Sequence, residues 1–67
     1  MLLKTLFKES DHGSYRAEIH RSDSNSFSVD YYSPSGKIKS EPFLNSSVLF
    51  VETTALNWLD GIKVLKG

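Results

Sequence analysis

Before Pro42 the chain alternates between apolar and polar residues with a period of two, and after it the period lengthens to three and four. Phe27, Val29 and Tyr31 alternate with Ser28, Asp30 and Tyr32, and Tyr15, Ala17 and Ile19 alternate with Arg16, Glu18 and His20. A period of two marks strands with one buried and one wet face. Leu2 to Glu9 also reads as a strand, but each side carries leucine or phenylalanine, so its facing stays open. The segments between are turn formers. Ser10-Asp11-His12-Gly13-Ser14 and Ser22-Asp23-Ser24-Asn25-Ser26 are rich in small polar residues, and Ser33-Pro34-Ser35-Gly36 has a proline to preset φ and a glycine to accept a positive one. Four strands are predicted at about 2–9, 15–21, 27–32 and 37–41. Pro42 cannot donate a ladder hydrogen bond, so the fourth ends near Glu41 or lies at a sheet edge.

Val48, Val51, Ala55, Trp58 and Ile62 recur at helical spacing, with Leu59 beside them. They predict an amphipathic helix over about 46–63. Asn45 is the expected N-cap, Leu44 and Leu49 the expected hydrophobic staple, and Lys63 and Lys66 suit the negative end of the dipole. The order is β-β-β-β-α. Short loops favour sequential antiparallel pairing, giving an α+β fold in one domain, 1–67, with the helix on one face of the sheet.

The 67 residues include no cysteine, so disulfides and thiolate metal sites are excluded. Two histidines are few for a zinc site without several carboxylates, and no metal or cofactor is expected. A core this small supplies roughly 3–5 kcal/mol and usually needs a staple. Self-association is the remaining common one, so a homodimer or higher oligomer is expected. Trp58, Val51 and Ile62 on the helix stripe are its candidate interface. Met1–Phe7 is too short and too soon interrupted by Lys4 for a signal-peptide core or a bilayer span. The expected location is cytoplasmic, in a bacterial host or cell, not secreted and without a membrane partner.

Eight basic and eight acidic residues cancel. On strict alternation, however, the face away from the helix collects Lys4, Lys8, Arg16, Lys37 and Lys39 against Glu18 and Asp30, with Tyr32 among them and His20 beside them. Cations with an aromatic platform are what single-stranded nucleic acid requires. The plainer alternative is a solvated face whose charges pair across strands. Outward leucines at 2 and 6 offer a third, in which part of this face is a dimer interface. No Ser-His-Asp or glycine-rich spacing is diagnostic, so no catalytic residue is assigned and no enzyme is expected.

The segment Val29–Ile38, VDYYSPSGKI, together with the ββββα order and the tryptophan-bearing last helix, resembles the PC4 transcriptional coactivator family. The likeness covers roughly half the chain. It implies a domain that dimerises through its C-terminal helix and binds single-stranded DNA on the outer sheet face, with Lys37 and Lys39 as loosely matching cations and Tyr32 near the stacking aromatic. The family's basic segment before the helix is replaced here by Ser40-Glu41-Pro42-Phe43. Length and style are also similar to those of small proteins of tailed bacteriophages. The expectation is a self-associating domain that binds single-stranded nucleic acid on its open sheet face; the alternative is a protein–protein accessory module, phage-type or host-modulating, with an unknown protein partner.

Overall fold

A computed structural model describes residues 1–23 and 25–61. Strands β1 (Leu2–Ser10), β2 (Gly13–Asp23), β3 (Ser26–Ser33) and β4 (Gly36–Leu44) form one antiparallel sheet in the order β1-β2-β3-β4, and helix α1 (Val48–Asp60) follows. The α+β, ββββα architecture is the one the alternation predicts. Strand β4 runs past Glu41 through Pro42 because it is an edge strand, where a missing N–H breaks no ladder bond.

The buried side chains are those of the two central strands and the inner helix stripe. Ala17 and Ile19 from β2, Phe27, Val29 and Tyr31 from β3, and Phe43 from β4 meet Val51, Ala55 and Leu59 of α1. The helical residues recur every fourth position, one apolar stripe on the sheet. Leu6, Tyr15 and Trp58 pack around this cluster.

The helix starts later than expected, and its cap is Ser47 rather than Asn45. Ser47 sits in extended backbone, and its hydroxyl accepts from the Phe50 amide at 3.2 Å. Asn45 instead takes the left-handed conformation, φ 54°, that turns the chain from β4 towards α1. With the cap displaced, Leu44 and Leu49 do not form the expected staple; they are 71 % and 70 % exposed. Lys63, Lys66 and the interface candidate Ile62 lie outside the described residues.

Three register slips decide the faces. They fall between Leu2 and Lys4, between Arg21 and Asp23, and opposite Tyr31/Tyr32, where Ile38 is the extra residue. A bulge shifts the parity of everything beyond it by one residue. Lys37 therefore pairs with Tyr32 on the open face, whereas Lys39 pairs with Tyr31 on the helix face. Ile38, expected under the helix, is 52 % exposed at the bulge.

Candidate functional site

The open face of the sheet carries a row of four side chains in register across all four strands. Phe7 of β1 is paired with Arg16 of β2, Arg16 with Tyr32 of β3, and Tyr32 with Lys37 of β4. Aromatic and cation alternate along the row. The Arg16 guanidinium carbon lies 3.9 Å from the Tyr32 ring centroid, a close cation–π contact. Phe7 is 67 % exposed at the β1 end.

The neighbouring row is acidic. Glu18 of β2 stands opposite Asp30 of β3, and Asp30 opposite Ser40 of β4. The Arg16 Nε donates to Glu18 Oε2 at 3.0 Å. Lys37 Nζ lies 3.6 Å from Asp30 Oδ1, and the Ser40 hydroxyl donates to that same oxygen. The Ser40 hydrogen bond, with Lys37 and His20 close by, holds the Asp30 carboxyl below its usual range against the opposing effect of burial. His20, two residues beyond Glu18 on the same face, points Nε2 between the two carboxylates, 3.5 Å from Glu18 Oε1 and 3.4 Å from Asp30 Oδ2.

Of the six residues expected to meet nucleic acid, the fold gathers Arg16, Tyr32 and Lys37 and sends the other three to the opposite face. Lys4 pairs in register with the buried Ile19, and its ammonium lies 3.7 Å from Glu52 of α1. It lines an open cleft of about 440 Å³ between the start of the helix and the sheet, shared with Arg21, Phe27 and Glu52. Lys8 pairs with Tyr15, and Lys39 lies 5.1 Å from the inward Tyr31 ring. Leu6 likewise packs against the core instead of facing outward. The expected positive excess on the open face is thus corrected. Arg16 and Lys37 share it with Glu9, Glu18 and Asp30.

Sequence reasoning missed Phe7. Thr5-x-Phe7 and Lys4-x-Leu6-x-Lys8 carry one large apolar residue each, so β1 has no net apolar asymmetry to orient it. The pairing of Leu6 with the buried Ala17 settles it.

Of the interface candidates on the helix, the structure describes Val51 and Trp58. Val51 is wholly buried against its own sheet. The Trp58 ring lies 4.7 Å from Tyr31 and 6.2 Å, edge on, from Tyr15, so its aromatic partners are within the chain. The exposed side of α1 presents Leu49, Phe50 and Leu56. No helix among the described residues is long and apolar enough to cross a membrane.

No protein-family model, no curated protein and no solved structure matches the chain.

Proposed function

We propose that this protein is a small non-catalytic binding domain that takes single-stranded nucleic acid along the row Phe7–Arg16–Tyr32–Lys37. The observation that supports this reading is the interleaving of two rings and two cations in register across the sheet. Bases stack on aromatic rings and on guanidinium planes with little regard to sequence, while ammonium and guanidinium groups meet the phosphates. The resemblance to the PC4 coactivator family points the same way.

This reading also predicts the size of the effect. Two cations on the row, at roughly 0.7 each for single strands, give a slope of log K against log salt of about −1.4, far shallower than five outward cations would give. Affinity then rests on stacking, worth about 1–3 kcal/mol per base by alanine substitution. Fluorescence anisotropy with a labelled single-stranded oligonucleotide at low salt is the test. Binding with this shallow slope, weakened by that amount in Phe7→Ala and again in Tyr32→Ala, is the expected result. No binding at low salt defeats the reading.

A second reading is a protein–protein module that self-associates, supported by the uncovered apolar side of α1. Leu49, Phe50 and Leu56 are 70 %, 56 % and 47 % exposed there. A pull-down that recovers a single protein and is insensitive to nuclease favours this second reading over the first.

A further inference from the structure

We infer that Glu18, His20 and Asp30 form a binding site for a divalent transition-metal ion, with Zn²⁺ the best chemical match. The three residues offer one imidazole nitrogen and two carboxylate oxygens, all within 4.8 Å of one another. Glu18 and His20 occupy alternate positions on one face of β2, and Asp30 is directly across from Glu18 on β3. Like charges directly opposite on neighbouring strands repel, and here Arg16 and Lys37 offset that repulsion from the outer side only.

The outer oxygens are already engaged. Glu18 Oε2 accepts from Arg16, and Asp30 Oδ1 accepts from Ser40 and faces Lys37. The inner oxygens, Glu18 Oε1 and Asp30 Oδ2, both turn to His20 Nε2. This is how outer hydrogen bonds orient carboxylate ligands around a metal.

His20 Nε2 is the second observation. That nitrogen atom is closed off from solvent and makes no hydrogen bond, although the side chain as a whole is 31 % exposed. Its 3.4 and 3.5 Å separations from the carboxylate oxygens are long for an N–H···O bond. They match a tetrahedral centre with bonds of about 2.0–2.1 Å, which sets its ligand atoms roughly 3.3–3.4 Å apart. The two carboxylate oxygens lie within 4.8 Å of each other, so a bound ion would have to draw the Glu18 side chain inward. Three protein ligands leave a fourth position for water, and the nitrogen–oxygen donor set suits Zn²⁺. The site sits beside the aromatic–cation row and does not rest on nucleic-acid binding.

Titration calorimetry with Zn²⁺ near neutral pH, and visible spectroscopy with Co²⁺ as a probe, test it on the whole chain. Saturable binding of one ion per chain with visible d–d absorption is expected. His20→Gln and Asp30→Asn should each weaken binding at least about tenfold, while His12→Gln in the exposed β1–β2 turn leaves it unchanged. If either site variant fails to fold, Co²⁺-induced broadening of the wild-type imidazole resonances decides: it must fall on His20 and spare His12. No saturable binding, equal affinity in folded His20→Gln, or broadening confined to His12 overturns the proposal.

Discussion

Tyr31 shows how one residue serves two environments. Its ring is buried against Trp58, and its hydroxyl donates to Glu41 Oε1 at 3.1 Å. Burial first, and then the Glu41 carboxylate, push the phenol up to about 12 from an ordinary 10.0. The native state therefore holds this proton more tightly than the unfolded chain does, and stability is full below pH 10 and falls as pH rises from 10 towards 12. Denaturant unfolding across that range is expected to show the fall, and Tyr31→Phe to flatten it. Persistence of the same fall in the variant assigns the effect elsewhere. Asp30 has the opposite sign: its depressed carboxyl contributes stability that is present above pH 3.8 and is lost as pH drops through its folded value. Trp58→Ala removes the partner of both Tyr31 and Tyr15 and should cost about 3 kcal/mol in denaturant unfolding, with no change in oligomeric state.

At the scale of elements, the first and third hairpins use one recipe. Ser10-Asp11-His12-Gly13 and Ser33-Pro34-Ser35-Gly36 each place serine opposite glycine at the strand ends. In each turn the serine hydroxyl accepts an amide two residues on, at 3.2 Å, and donates to the glycine carbonyl. Both glycines have the positive φ that other residues rarely adopt, 122° and 128°. Their surroundings differ. A Cβ on Gly13 would lie 2.9 Å from Pro34 Cβ in the neighbouring turn, whereas one on Gly36 meets open space. Gly36→Ala should thus cost only the backbone strain, about 1–3 kcal/mol, and Gly13→Ala more than that. Thermal unfolding of the two variants gives the order; equal losses would show that the turns do not press on each other. The helix start is a similar local matter. The sequence pointed to Asn45 as the cap, and the shift to Ser47 follows from Asn45 being the residue that tolerates φ 54° at the turn out of β4.

For the whole molecule, the small core makes association the natural complement. A chain of this length buries only about 60 % of its unfolded surface. Exposed apolar side chains include Leu44 of β4 and Leu49, Phe50 and Leu56 of α1. Light scattering is expected to give at least a dimer. Leu49→Glu combined with Leu56→Glu should give a monomer with an unchanged circular-dichroism spectrum, and a wild-type monomer refutes the association. The element order, the antiparallel sheet and the buried faces of β2 and β3 were legible from alternation, because Tyr15, Ala17, Ile19, Phe27, Val29 and Tyr31 are unequivocally apolar on one side. The edge strands were not. Lys4, Lys8 and Lys39 read as outward cations, yet they share the helix face with Ile19, Tyr15 and Tyr31.

By itself, then, the sequence determined what depends on local periodicity and turn chemistry: four strands, two Ser-x-x-Gly hairpins, a helix, and which side of the central strands is dry. Tertiary structure alone decided which cations stand together. A one-residue bulge at Ile38 separates Lys37 from Lys39, and the pairing of Leu6 with Ala17 turns Phe7 outward. The physical reason is that side-chain facing has a period of two. A bulge reverses it for every residue beyond, at almost no cost in local sequence, and only pairing to the next strand reveals where the bulge falls.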